Sequence, residues 1–92
     1  MKIGYSKDFD KKVDKLKNKI AKKKLHLLIK KLEDAKTLEE IPNTITIKGS
    51  VGLFRITTGD FRLIVERIKN GEIVIILLDY LIRNEKTYRN YN

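Results

Sequence analysis

The sequence is poor in the residues that build metal sites and membrane segments: among its 92 residues it has no cysteine, no tryptophan and one histidine. Without cysteine it can form neither a disulfide nor a thiolate metal site, and His26 alone supplies too few ligands to hold zinc. The longest apolar run, Ile73–Leu78, is far shorter than the roughly 20 residues of a membrane-spanning helix. The start shows no apolar signal segment. We therefore expect a cytoplasmic protein that uses no metal, no small-molecule cofactor and no membrane.

Acidic residues are also scarce, because 12 Asp and Glu stand against 21 Lys and Arg, which gives a net charge of +9. So much positive charge on a small protein attracts anionic partners, nucleic acid first among them. Residues 1–42 contain 13 lysines and no arginine, whereas all five arginines lie in residues 43–92. Arginine presents a planar fork that binds phosphate at two points, whereas lysine is a mobile point charge. The second half is therefore the expected place of phosphate binding.

The apolar pattern predicts one α+β domain over residues 1–92, beginning with a short N-terminal strand at 1–5. Ser6 is a good helix N-cap, and Thr37 with Glu40 has the spacing of a capping box. Between them, apolar residues recur at helical spacing in two sets, Phe9, Val13, Leu16 and Ile20, then Leu25, Leu28, Ile29 and Leu32. The register breaks near Lys17–Ala21, which predicts a two-helix hairpin, with one bent helix as the alternative.

After Pro42 the pattern becomes typical of strands. Alternating or continuous apolar runs at 53–57, 61–68 and 73–81 are separated by a tight turn at Thr58–Asp60 and by Asn70-Gly71, a strong hairpin signal. A weaker strand covers 45–47. Together these segments predict a twisted antiparallel sheet of three to four strands behind the helices.

The arginines of this sheet have a pattern of their own. Arg55 alternates with Phe54 and Ile56, so its side chain is expected on the opposite face of the sheet from theirs. Arg62 alternates in the same way with its apolar neighbours, and Arg83 follows the last strand. Because a short turn joins the first two strands, Arg55 and Arg62 are expected close together. They form either one phosphate site or separate solvated charges.

Taken in order, these segments resemble the RelE/ParE superfamily of bacterial and archaeal toxins. The resemblance covers nearly the whole chain and rests on the motifs Ile47-Lys-Gly, Leu53-Phe-Arg-Ile and Gly59-Asp-Phe-Arg-Leu-Ile-Val, followed by the hairpin and Arg83. It implies two helices on a twisted antiparallel sheet. For the RelE branch it implies a toxin that is a ribosome-dependent, metal-free mRNA endoribonuclease and blocks translation. It also implies a cognate antitoxin. This partner is expected to be acidic, because it neutralises the +9 charge, and to be partly disordered when free.

The resemblance also implies site residues. The expected catalytic set is basic apart from one tyrosine: Lys48, Arg55, Arg62, Arg83 and Tyr88. The expected RNA-binding set is Lys22, Lys23, Lys24 and Arg89. RNA cleavage by its own 2′-hydroxyl needs help in removing a proton, stabilisation of the crowded phosphate and a proton for the leaving oxygen. Arginine forks can provide the second of these without a metal.

Two departures from the family pattern leave an alternative open. The chain has Tyr80-Leu-Ile before Arg83, where relatives often have a Gly-His pair. It also has Thr57, where relatives carry a second basic residue. A ParE-like inhibitor of DNA gyrase, or a toxin homologue without catalysis, is therefore the second hypothesis. A plain RNA-binding domain is less favoured because no RRM-like or KH-like signature is present.

Overall fold

A computed structural model describes residues 1–82 of the chain. Within this range the chain forms two α-helices, one short 3₁₀ helix and a five-stranded sheet, which confirms the predicted α+β class. The elements in chain order are β1 (Lys2–Tyr5), α1 (Lys7–Lys15), α2 (Lys19–Asp34), the 3₁₀ helix (Leu38–Glu40), β2 (Thr44–Thr46), β3 (Leu53–Thr58), β4 (Phe61–Asn70) and β5 (Glu72–Ile82).

The strands lie in the order β1-β5-β4-β3-β2. Strands β2 to β5 run antiparallel to their neighbours, as predicted, and β1 joins the same sheet by pairing parallel to β5. The continuous apolar run of β5 is explained by this position between two strands. Gly71, with φ of 83°, forms the predicted hairpin between Asn70 and Glu72; a positive φ costs glycine little because it has no Cβ.

Side-chain caps define both helix starts. The Ser6 hydroxyl accepts a hydrogen bond from the Phe9 N–H at 3.1 Å. The Asn18 side chain accepts from the N–H groups of Ile20 and Ala21 at 2.9 and 3.0 Å. Because Asn18 satisfies these N–H groups with its own side chain, it starts a new helix without any glycine or proline. The two-helix prediction is therefore confirmed and the single bent helix is wrong, although the break lies slightly earlier than expected and Ala21 is inside α2.

The main core lies between the two helices and one face of the sheet, which we call the helix face. Its fully buried aliphatic residues include Leu25, Leu32, Leu63, Val65, Ile75 and Leu77. A smaller apolar cluster of Ile47, Ile64 and Leu81 lies on the opposite face. We call that second face the arginine face, because it carries Arg55 and Arg62.

A β-bulge in β5 decides which side chains reach the main core. Ile64 pairs with Asp79 and Val65 pairs with Leu77, so Leu78 is an extra residue in β5. An extra residue shifts the alternation of the strand beyond it. As a result Tyr80 faces the helices, where its hydroxyl donates to the Ala21 carbonyl at 2.9 Å and its burial raises its pKa to about 12.

Candidate phosphate-binding site

The sheet register places Arg55 and Arg62 on the arginine face as close neighbours. Arg55 pairs with Ile64. Two residues further along β3, Thr57 pairs with Arg62, which precedes Ile64 by two residues in β4. Such diagonal neighbours on one face are about 7–8 Å apart, within reach of long side chains. The register therefore places the two arginines as neighbours, as alternation predicted, and guanidinium groups are well suited to bind phosphate.

The inner ends of both guanidinium groups are buried, and Arg62 is also held by backbone carbonyls. The Nε atoms of Arg55 and Arg62 are inaccessible to solvent. The Arg62 Nη1 atom donates to the Phe61 carbonyl at 3.1 Å and lies 3.5 Å from the Gly59 carbonyl. The Arg62 side chain therefore lies along the turn between β3 and β4 and does not extend freely into solvent. A cation held in this way loses less conformational entropy when it binds phosphate.

The three consecutive lysines of α2 do not share one surface. Successive residues in an α-helix are about 100° apart around its axis, so Lys22, Lys23 and Lys24 point in different directions. Lys23 is exposed, whereas Lys22 and Lys24 are half-buried. Lys24 lies over the β3–β4 turn, where its Nζ would be 3.1 Å from a Cβ atom at Gly59. Of the predicted RNA-binding lysines in α2, Lys24 is therefore the one that lies against the turn whose Gly59 carbonyl is near Arg62.

Lys48 lies at the other end of the strands. The Ile47 N–H donates to the Leu53 carbonyl, so the chain leaves β2 beside the start of β3. Arg62 pairs with Thr57, four residues further along β3, which is about 13 Å at 3.3 Å per residue. The exposed side chain of Lys48 is therefore separated from Arg62 by most of a strand. Only an extended ligand can contact both residues at once.

The remaining predicted site residues, Arg83, Tyr88 and Arg89, lie outside the described residues, and their roles stay predictions.

His26, the single histidine, is exposed on α2. Within residues 1–82, no group of three or more carboxylate or imidazole side chains is placed to hold a metal ion. Neither described helix is long and apolar enough to cross a membrane.

Arg67 belongs to the helix face and has a structural role. It pairs with Ile75, and its Nη1 lies 2.7 Å from the Glu39 carboxylate. Its guanidinium carbon is 4.7 Å from the centre of the Phe54 ring, which is cation–π geometry. The hydrogen bond from Arg67 lowers the pKa of Glu39 below its usual value. Arg67 therefore joins the 3₁₀ helix to β4 and is not part of the arginine face.

Two residues near Arg62, Thr57 and Asp60, make its surroundings less positive than the family pattern predicts. Thr57, the position where relatives were expected to carry a basic residue, pairs directly with Arg62. Asp60 is exposed in the turn between them, and its carboxylate reduces the local positive potential.

Sequence reasoning missed Lys31, which lies seven residues after Lys24 and hence on the same side of α2. The i, i+7 spacing of these two lysines was the available signal.

Among protein-family models, curated proteins and solved structures, only the solved structures gave a match to the chain. No protein-family model matches the chain, and no curated protein matches it. Among solved structures, the chain is similar to one chain of the RelB–RelE antitoxin–toxin complex from Methanococcus jannaschii. The two share 24% sequence identity with a TM-score of 0.74, over 97% of this chain and 99% of that chain. The chain therefore has the same fold as a component of an antitoxin–toxin complex, over nearly the whole length of both.

Proposed function

We propose that this protein is the toxin of a toxin–antitoxin pair and that it cleaves mRNA on the ribosome without a metal. The observation that carries the proposal is the pair of neighbouring arginines, Arg55 and Arg62, on the arginine face of a fold shared with a component of an antitoxin–toxin complex. The net charge of +9 on the whole chain favours a nucleic-acid ligand. The fold similarity supports a toxin, and the arginines support phosphate chemistry.

In this proposal the arginines hold the scissile phosphate and stabilise the charge that develops on it. As the 2′-hydroxyl attacks, the phosphorus becomes five-coordinate and its oxygens gain negative charge, which fixed donors stabilise most strongly. Arg83 would complete the set of guanidinium groups. Tyr88 is the member of the predicted set that would exchange a proton with the attacking or leaving oxygen. Lys48, at the other end of the strands, would contact the same RNA further along its backbone. The exposed lysine Lys23 and the half-buried Lys22, together with Arg89, would contact ribosomal RNA.

The direct test is mRNA cleavage on purified ribosomes in the presence of EDTA. Cleaved mRNA with a 2′,3′-cyclic phosphate or 3′-phosphate end is expected, because attack by the 2′-hydroxyl leaves the phosphate on that side. If a folded sample leaves mRNA intact on ribosomes from its own source, the nuclease proposal is wrong. Cleavage that EDTA abolishes would contradict the metal-free mechanism.

A second candidate function is inhibition of DNA gyrase, or a toxin homologue without catalysis. The observation that favours it is Thr57, because the position directly opposite Arg62 lacks the second positive charge. A supercoiling assay with purified gyrase separates the two candidates. Inhibited supercoiling together with intact mRNA would support the second candidate over the first.

We also propose a protein partner that neutralises the toxin in the cytoplasm. An acidic segment that folds on binding would cover the arginine face and compensate part of the +9 charge. The complex should weaken as salt is raised, and it should form with a negative heat-capacity change if apolar surface is buried. A chain that is harmless when produced alone and binds no product of a neighbouring gene would contradict this part of the proposal.

A further inference from the structure

Lys24 is held differently from the other lysines of α2. Its Cε and Nζ would lie 3.0 and 3.1 Å from a Cβ atom at Gly59, so its stem lies directly over that residue. Gly59 has a φ of 61° and turns the chain between β3 and β4. The same turn carries the Gly59 carbonyl that lies 3.5 Å from the Arg62 Nη1. Gly59 therefore contacts the Lys24 side chain and also lies close to Arg62 through its carbonyl oxygen.

A groove continues from this turn along α2. It has a volume of about 170 Å³ and runs between the second half of α2 and the edge of β3 that extends past β2. Its polar lining includes Lys31, Asn43 and the half-buried Thr58. Beyond Lys31 the surface carries the carboxylates of Asp34 and Glu40. Lys31 is therefore the last basic residue of the groove before these carboxylates.

We propose that Lys24, Lys31 and Thr58 form a second phosphate subsite, which binds the backbone phosphate next to the one held by Arg62. This inference rests on the proposed function, because it assumes that a single RNA strand crosses the arginine face. The strand passes over the Gly59 turn and continues into the groove beside α2. Lys24 thus contacts the RNA strand bound at Arg62, whereas Lys22 and Lys23 point elsewhere on the helix.

The groove suits a phosphate group better than a small organic ligand. At about 170 Å³ it is smaller than the 300–1,000 Å³ of typical ligand pockets. The Lys31 ammonium and the Thr58 hydroxyl line the groove, and the Lys24 ammonium lies over the adjoining Gly59. All three are donors of the kind that contact nucleic-acid backbones. Asp60, exposed in the turn, is the acidic group nearest to this path by sequence. Its repulsion would limit the subsite to the α2 side of the turn.

The test is the salt dependence of binding to a short single-stranded RNA whose 2′-hydroxyls are all methylated, so that it cannot be cleaved. Each phosphate contact contributes about 0.7 to the slope of log K against log salt for single strands. Lys24→Gln should weaken binding several-fold and reduce this slope by about 0.7. The matched control is Lys11→Gln, which removes the same charge from an exposed position of α1 and should leave the slope unchanged. Lys24→Arg should restore most of it.

A double variant separates direct binding from an effect through Arg62. If Lys24 binds its own phosphate, Arg62→Ala together with Lys24→Gln should lower the slope by the sum of the two single losses. If Lys24 only positions the turn, Lys24→Gln should have no further effect once Arg62 is absent, and the inference is overturned. It is also overturned if Lys24→Gln behaves like Lys11→Gln, or if the wild-type chain binds no RNA. A wild-type chain that binds RNA in this Lys24-dependent manner but cleaves no mRNA would disprove the nuclease proposal alone.

Discussion

The two faces of the sheet differ sharply although they are built from the same strands. On the helix face, Leu63 and Val65 are fully buried against the helices. Their strand neighbours Arg62 and Glu66 are half-buried and point the other way. Adjacent residues of β4 therefore serve different purposes, one face supplying most of the apolar burial and the other carrying fixed charge. Under the proposed function, the side on which a residue lies should decide whether its substitution affects stability or RNA cleavage.

The largest effect on stability is expected for truncation on the helix face. Leu63→Ala removes a side chain of 0% exposure and leaves a cavity, which typically costs about 2–5 kcal/mol in unfolding free energy. Urea denaturation followed by circular dichroism measures this loss. Under the proposed function, RNA cleavage per folded molecule should be unchanged. A loss below about 1 kcal/mol would mean that the site collapses freely and that the helix face is loosely packed.

The next effect should appear in rate and not in stability. Under the proposed function, Arg62→Ala removes a donor that acts on developing charge and should lower the cleavage rate by about 10²–10³. Arg67→Ala removes the same charge from the helix face, where Arg67 contacts Glu39 and Phe54. It should lower stability and leave cleavage per folded molecule unchanged. Single-turnover cleavage on ribosomes measures both. Equal rate losses in the two variants would show that total charge matters and position does not.

A smaller, pH-dependent effect is expected from Tyr80. Its folded pKa is raised by burial from 10.0 to about 12, so the neutral phenol stabilises the fold fully below pH 10. That stabilisation is lost as the pH rises towards 12, because the unfolded chain ionises first. Tyr80→Phe should cost about 1 kcal/mol at neutral pH through the lost hydrogen bond to Ala21. The difference between wild type and variant should then shrink above pH 10. A constant difference across this range would contradict the pKa shift.

The smallest effect is expected from adding charge to the arginine face. Thr57→Lys places an ammonium directly opposite Arg62 and should raise the salt slope of RNA binding by up to about 0.7. The cross-strand repulsion should cost no more than about 1 kcal/mol. Thr46→Lys is the matched control, because Thr46 pairs with Phe54 on the helix side of β2. If both variants raise RNA affinity equally, the added charge attracts RNA wherever it is placed.

Part of the candidate site was predictable because it depends on local alternation. Arg55 and Arg62 lie on strands joined by a turn of two residues, Gly59 and Asp60, so the spacing alone indicated that they meet on one face. The contact of Lys24 with the Gly59 turn was not predictable in this way. It depends on how far α2 is displaced along the sheet, and no periodicity in the sequence encodes that distance. The ion pair between Arg67 and Glu39 was not predictable from local spacing either, because the two residues are 28 positions apart in the chain.

Short-range interactions in the sequence account for the set of elements and the faces they bury, because caps, turns and periodicity act between residues close in the chain. Asn18 starts α2, and Asn70-Gly71 turns the sheet, each through its own backbone and side chain. The parallel pairing of β1 with β5, and the extra residue Leu78 that turns Tyr80 to the helices, arise instead from long-range packing. Both outcomes depend on packing between segments more than 50 residues apart in the chain. Such packing is selected by the free energy of the whole core, which no short stretch of sequence contains.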